Sequence, residues 1–377
     1  MKKPIITLSF LFLVIFSCSD SENNDDSSPT SNFSNIVVFS NDDSNIYQSD
    51  ILNQQNSENI NLSSLYNLTV NLTQIEQNQD LVSIFERDFL NNNFNIYQYD
   101  VNSEETFILD QFCEVNNPES IFFPVATKLK LVMFTLQPGN NGFFNHKLKV
   151  YNKVTGICSE IELGNGIITQ YETIVDNENL YVKLRIENNQ YKLLKINLNI
   201  NTVEDELIFD DNFWATTINN ELIVGISNNQ QKVYNKSNFE FLSNTSINFA
   251  VNFVNKLFNS KIHGDEIEVY IPYAQPGTIS GAYGTLNLST GEFVRGNNGY
   301  MYDVFQTLNA EFVVSNTSGG IGITTSATSL STNEVIVGFR IYTSDNSLIG
   351  GIAYCDFDGN VNEVFELDSV PFHISIK

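Results

Sequence analysis

The residue types that carry most enzyme chemistry are sparse in this 377-residue chain. Three histidines occur, His146, His263 and His373, and no two stand at the spacing of a metal site. Neither a His-Glu-x-x-His nor a Cys-x-x-Cys pattern is present. They read as unrelated structural or surface groups, and no metal or cofactor is expected. Gly277-Thr278-Ile279-Ser280-Gly281 sets its serine one position away from that of a nucleophile elbow, with no helix after it. Gly320-Ile321-Gly322 lacks the strand and helix that would make it a dinucleotide loop. The passage from Asp356 to Glu363 alternates acidic and amide side chains as a hard-cation loop does. Asp358-Gly359-Asn360 is also what a tight hairpin with positive φ requires, and the turn is the reading adopted. Carboxylates are plentiful, 44 Asp and Glu against 19 Lys and Arg, for a net charge of -25. That balance repels nucleic acid. It leaves room for general acid and base work by paired carboxylates, though spacing singles out no pair.

Cys18 stands apart from the other three cysteines. Lys2 and Lys3 precede an apolar run from Ile5 to Phe16, too short to cross ~30 Å of hydrocarbon as a helix but suited to a signal-peptide core. Ile15-Phe16-Ser17-Cys18 resembles the bacterial lipobox, departing from it in Phe16, where a small residue is usual. The resemblance implies cleavage before Cys18 and acylation of that residue, with two or three long chains anchoring it in a membrane. The acidic, polar stretch from Ser19 to Pro29 cannot bury apolar surface and reads as a tether. It also resembles the segment that follows the lipidated cysteine in surface-exported lipoproteins of the Bacteroidetes. The expected organisation is a signal peptide over 1–17, a disordered tether over 18–33 and one domain over 34–377. The expected location is the outer membrane, on the cell surface or, alternatively, facing the periplasm. Cys113, Cys158 and Cys355 then remain, an odd number in an oxidising compartment. Either Cys113 pairs with Cys158 and Cys355 stays a buried thiol, or all three are buried thiols. Asp368-Ser369-Val370 resembles the O-glycosylation triplet of Bacteroidetes.

From Asn35 onward the chain reads as strands with no sustained helical period, its β-branched and aromatic runs separated by Asn, Asp, Gly and Ser. One motif, an aromatic or aliphatic pair running into a polar turn, recurs at Tyr99-Asp100, Tyr151-Asn152, Ile196-Asn197, Tyr234-Asn235, Leu286-Asn287 and Cys355-Asp356, with a weaker copy at Ser49-Asp50. A second precedes it, a turn feeding an aliphatic strand, as in Leu81 to Ile84, Leu180 to Leu184, Leu222 to Gly225 and Ile267 to Tyr270. Together they describe a four-stranded antiparallel meander every ~40–50 residues. The chain resembles the β-propeller superfamily in this architecture, without a WD or kelch signature. The resemblance implies an all-β ring of about seven blades, with six or eight as alternatives because Gly299 to Asn333 holds two candidate hairpins, at Asn309-Ala310-Glu311 and Ser331-Thr332-Asn333. The first unit lacks an innermost strand and the chain ends in a strand without a blade, Phe372 to Ile376, so the C-terminus is expected to close the ring. An outer-membrane barrel is the competing fold.

A blade's strands alternate direction, so turns joining strands one to two and three to four share one face of the ring. The remaining connections share the other, and they include the long segments 111–118, 137–144 and 272–277. Loops held by a rigid scaffold concentrate binding groups, and aromatics anchor interfaces. Phe143, Phe144 and Tyr273 are therefore the candidate recognition residues. The expected function is a non-catalytic binding platform for a protein or glycan, anchored in a membrane by Cys18. The alternative is a glycan lyase or hydrolase working from carboxylates at the channel.

Overall fold

In the computed structural model, second strands are largely buried on both faces and outer strands stay partly exposed, which is what stacking sheets face to face around an axis demands. The second strand of blade 4, Asn179–Arg185, is buried from Leu180 to Leu184, whereas the outer strand Thr202–Phe209 keeps Val203, Glu204, Glu206 and Ile208 exposed. The structure describes residues 33–52, 55–70, 73–88, 93–114, 120–139, 142–168, 172–226, 230–246, 259–272, 281–296, 299–313, 320–343 and 348–377. Cys18 and the tether thus lie outside the described residues.

Residues 34–377 form one unit built of seven four-stranded antiparallel sheets, a β-propeller. Blades 2 to 7 take residues 73–109, 120–166, 173–209, 213–246, 262–295 and 321–367 in order from the axis outward. Blade 1 is composite. Residues 36–61 supply its outer three strands and Val370–Ile376 its innermost one. Ile36 faces Ile376 and Phe39 faces His373 across that seam, with a register shift before Ser40. Closure by the C-terminal strand is as the sequence implied, and the open sheets exclude a barrel.

Apolar layers lie between blades rather than in one central core. Val132, Phe134 and Leu148 of blade 3 meet Leu180, Val182 and Leu194 of blade 4, and Tyr181 of blade 4 meets Phe213 and Leu222 of blade 5. Close approach fixes one glycine: a Cβ at Gly225 would lie 2.1 Å from the Trp214 ring that covers it. Lys183 is buried in the same region, its Nζ 2.5 Å from Glu172 and 5.4 and 5.2 Å from the rings of Tyr191 and Phe213. Burial lowers its pKa, and the Glu172 charge opposes that shift.

The recurring motif closes the third strands of blades 2 to 7, whereas its weaker copy, Ser49-Asp50, lies inside the third strand of blade 1, Ile46–Leu52. Asp100 accepts from the backbone N–H of Asn102 and Ser103, Asn152 from Val154 and Thr155, and Asn287 from Ser289 and Thr290. Each is an Asx-turn that satisfies backbone donors the ladder has left behind. Asp356 does the same toward Asp358 and Asn360, so the calcium-like passage is the seventh blade's copy of a turn. Among the described residues no group of His, Cys, Asp or Glu is arranged to hold a metal.

Two expectations need correction. Among the described residues of the Gly299–Asn333 stretch there is one hairpin, at Ser331–Asn333. Asn309-Ala310-Glu311 lies instead inside a helix, Tyr300–Val313, here α2; a shorter helix, Leu62–Tyr66 (α1), links blades 1 and 2. Tyr300, Met301, Val304, Leu308 and Phe312 line the face of α2 that packs on Val335, Val337 and Phe339 of blade 7. Their spacing is helical, but their β-branched and aromatic content made the segment read as strand. Ser369 is the second correction. It is 4% exposed and its hydroxyl lies 2.6 Å from that of Ser40, so the hydroxyl that would take a glycan is buried although Asp368 beside it is exposed.

Cys113 and Cys158 form a disulfide with Cα atoms 5.8 Å apart, and Cys355 is a buried thiol. Burial raises the Cys355 pKa to about 12, which keeps it unreactive. The bond closes a loop of 45 residues, and constraining that loop in the unfolded chain contributes about 4 kcal/mol. Cys113→Ser with Cys158→Ser is expected to lower the unfolding free energy measured in urea by that amount, and an unchanged midpoint would contradict it.

Candidate functional site

The loop face carries the connections between second and third strands and between blades; the turn face carries the others. The strands that flank all three long segments expected to share a face alternate as assumed and direct the described ends of those segments to the loop face. They differ in what they display. The connection after blade 2 folds back between blades, so that Phe112 is buried 6.2 Å from the Tyr151 ring and Cys113 reaches Cys158. Blade 3 projects its aromatics instead. Phe144 is 39% exposed and Phe143 is half-buried. Tyr273 lies outside the described residues.

Phe144 opens the third strand of blade 3, and its ring meets that of His146 edge-on at 6.4 Å. His146 is buried, its Nε2 3.2 Å from the Gly166 carbonyl oxygen. Burial lowers its pKa while that contact opposes the shift, so the ring is neutral at pH 7 and serves as a packed support for Phe144. A backbone bond ties the two ends of this connection, the Gly139 N–H donating to the Phe143 carbonyl at 3.0 Å. On blade 4, Arg185 pairs across an isolated bridge with Ile167 and its Nη2 donates to Asn189 at 2.6 Å. On blade 7 the Arg340 guanidinium lies 5.2 Å over the Tyr342 ring. The face therefore offers an exposed aromatic on one blade and planar cations on two others, the groups that stack on sugar rings or pair with carboxylates.

The axis holds a polar group that the sequence reading did not single out. The inner strand of blade 2, Thr73–Asn78, and the closing strand of blade 1 stand side by side. Gln77 bridges them, its Nε2 donating to the Ser375 hydroxyl at 2.8 Å while its Oε1 lies 3.1 Å from His373 Nε2. Gln74 Nε2 donates to Glu76 Oε1 at 2.9 Å. Burial pushes the Glu76 carboxyl up to about 8, with the Gln74 bond opposing, and burial pulls His373 down to about 4. Both are half-buried by solvent contact, since they stand at the narrow axis, but the inner strands crowd them enough to strip most of their hydration. The signal was present as the polarity of Gln74, Glu76 and Gln77 around a single Ile75. It was missed because outer strands carry similar polarity, and strand order is not written in local sequence.

No family model and no curated protein matches the chain. Among solved structures it is similar to the computationally designed Ika8 protein, at 12% identity over 89% of both chains with a TM-score of 0.42. It is also similar to the WD40 domain of SCAP from fission yeast, at 9% identity over 89% of this chain and 87% of that one, TM-score 0.36. A third is BamB from Moraxella catarrhalis, at 8% identity over 88% of both chains, TM-score 0.35. At these identities the likeness concerns fold alone, and the propeller assignment rests on the strand ladders themselves.

Proposed function

We propose that the chain is an exported, lipid-anchored propeller that serves as a non-catalytic binding platform for a protein or a glycan, with the loop face as its recognition surface. The Cys113–Cys158 bond carries the reading, because disulfides persist in extracytoplasmic compartments. Such a compartment agrees with a signal peptide cleaved before Cys18 and an acidic tether beyond it. The exposed Phe144 and the stacked Arg340 are chemistry for recognition rather than for bond cleavage. Outer-membrane display at the cell surface is the location proposed. Cys18→Ala is expected to abolish incorporation of labelled palmitate and to release the protein from membranes; full membrane retention of that variant would overturn the anchor. Protease added to whole cells is expected to remove the domain, and complete protection would place it facing the periplasm. Phe143→Ala with Phe144→Ala is expected to reduce ligand retention about tenfold or more, as loss of a central aromatic anchor does.

One observation favours the enzymatic alternative. Glu76 holds its proton near neutral pH, as a general acid in glycan cleavage must. Turnover of acidic or neutral glycans that is lost in Glu76→Gln would establish it.

A further inference from the structure

Five of the Asx-turns that end third strands, those of blades 2 to 6, share one local geometry in which the Asx residue faces the residue five positions on, so they act as controls for one another. Two positions after the Asx residue, blades 2, 5 and 6 place Asn102, Ser237 and Ser289, whereas blade 3 places Val154. At the next position stand Ser103, Asn238 and Thr290, against Ile200 of blade 4. At the fifth stand Glu105, Glu240 and Glu292, against Ile157 of blade 3. The turn does not need these aliphatics, and the core does not take them. Val154 is 77% exposed, Ile157 65% and Ile200 62%, the highest values among the large hydrophobics of the described residues. Leu129 at 42%, on the first turn of blade 3, joins them, since its carbonyl accepts from the Lys153 N–H at 3.0 Å. The adjoining turns are laced together: Thr127 donates to Glu178 across blades 3 and 4, and Lys236 pairs with Asp176 across blades 4 and 5. The aliphatic tips therefore stand on one rigid arc of the turn face.

The N-terminal end of the propeller is on the same face. Ser34 donates through its hydroxyl to Glu334 Oε2 at 2.6 Å, beside the turn at Ser331–Asn333, and the Tyr354 hydroxyl donates to the Ser34 carbonyl. The chain between Cys18 and Ser34 spans about 50 Å at most when fully extended and roughly half that as a flexible coil. We infer that the turn-face arc formed by Leu129, Val154, Ile157 and Ile200 rests on the lipid surface that holds the Cys18 acyl chains, leaving the loop face turned away from the membrane. This rests on the lipid anchor proposed above. Tethering supplies an effective concentration on the order of millimolar, so a few aliphatic side chains too weak to bind vesicles unaided suffice to orient an anchored ring.

The test uses the acylated full-length protein in phosphatidylethanolamine and phosphatidylglycerol vesicles that carry nitroxide-labelled acyl chains. With Cys113 bonded to Cys158 and Cys355 buried, and Cys18 acylated, bimane reacts at the cysteine of Ile200→Cys or of Leu65→Cys. Leu65 is the control, 60% exposed on α1 at the loop face. Severalfold stronger quenching at position 200 than at 65 is expected. Adding Val154→Ser and Ile157→Ser should abolish that difference without moving the melting temperature, since polar residues fill the matching turns of other blades. Equal or absent quenching at 200 in a protein whose Cys18 is acylated, by intact mass, overturns this inference and leaves the anchor standing. An unacylated Cys18 overturns the anchor, and this inference with it.

Discussion

A chain ending at Ser369 is expected to unfold at markedly lower urea, with a loss upward of about 5 kcal/mol. Deleting Val370–Ile376 strips the innermost strand of blade 1 and the ladder it makes from Ile36 to Asn41. Val37, Val38 and Phe39, each 0% exposed, would then border an open edge. A seven-residue strand buries on the order of several hundred Å² of apolar surface, which at ~25 cal/mol per Å² alone exceeds the loss stated. The seam joins residues more than 300 apart in the chain through this ladder. Hydrogen exchange should show protection lost first at Ile36 to Phe39. Lys377, whose Nζ lies 2.9 Å from both Asp50 and Glu104, gives the contrast: Lys377→Met should cost only about 1 kcal/mol, because a partly solvated pair contributes little. An unchanged urea midpoint in the truncated protein would show that the ring does not depend on its closing strand.

The axis is expected to make stability fall at both ends of the pH range, by two groups of opposite sense. Glu76 has a pKa of about 8 in the folded protein against 4.5 ordinarily. The folded state therefore binds more protons than the unfolded one between those values, and stability falls as pH rises from 4.5 to 8. Allowing for water that reaches the axis, the loss is about 3 kcal/mol. Glu76→Gln should match the wild type at pH 4 and exceed it by that amount at pH 8. His373 works the other way. Its pKa of about 4, against 6.5, means that the unfolded state takes the proton first, so stability falls as pH drops from 6.5 to 4. Removing the imidazole with His373→Gln should flatten that limb by about 2 kcal/mol. Gln74, which donates to Glu76, and Gln77, which meets His373, are neutral and compensate neither charge. Parallel stability profiles for Glu76→Gln and wild type from pH 5 to 9 would refute the assignment.

Much of the fold was legible because each blade repeats the same local physics. Tyr99-Asp100 and its copies mark an aromatic strand end followed by an Asx-turn, a decision made within five residues. The unpaired first and last units even disclosed the composite blade. The Gly299 to Asn333 region was misread for the opposite reason. Its apolar residues pack at helical spacing against blade 7, and a partner sheet far along the chain selects helix over strand there.

The candidate sites divide along the same line. Phe144 could be placed on the loop face from turn order alone, whereas the half-burial of Phe143 depends on how its loop is held. The sequence by itself determined the strand repeat, its alternating faces and the need for a closing strand, because those follow from spacing and side-chain period. The tertiary structure alone decided that Cys113 meets Cys158, that Ser369 is buried and that Glu76 and His373 stand dehydrated at the axis. Each of these depends on which blades become neighbours and which strand lies innermost, and desolvation or bond formation between residues far apart in the chain exists only once that packing is complete.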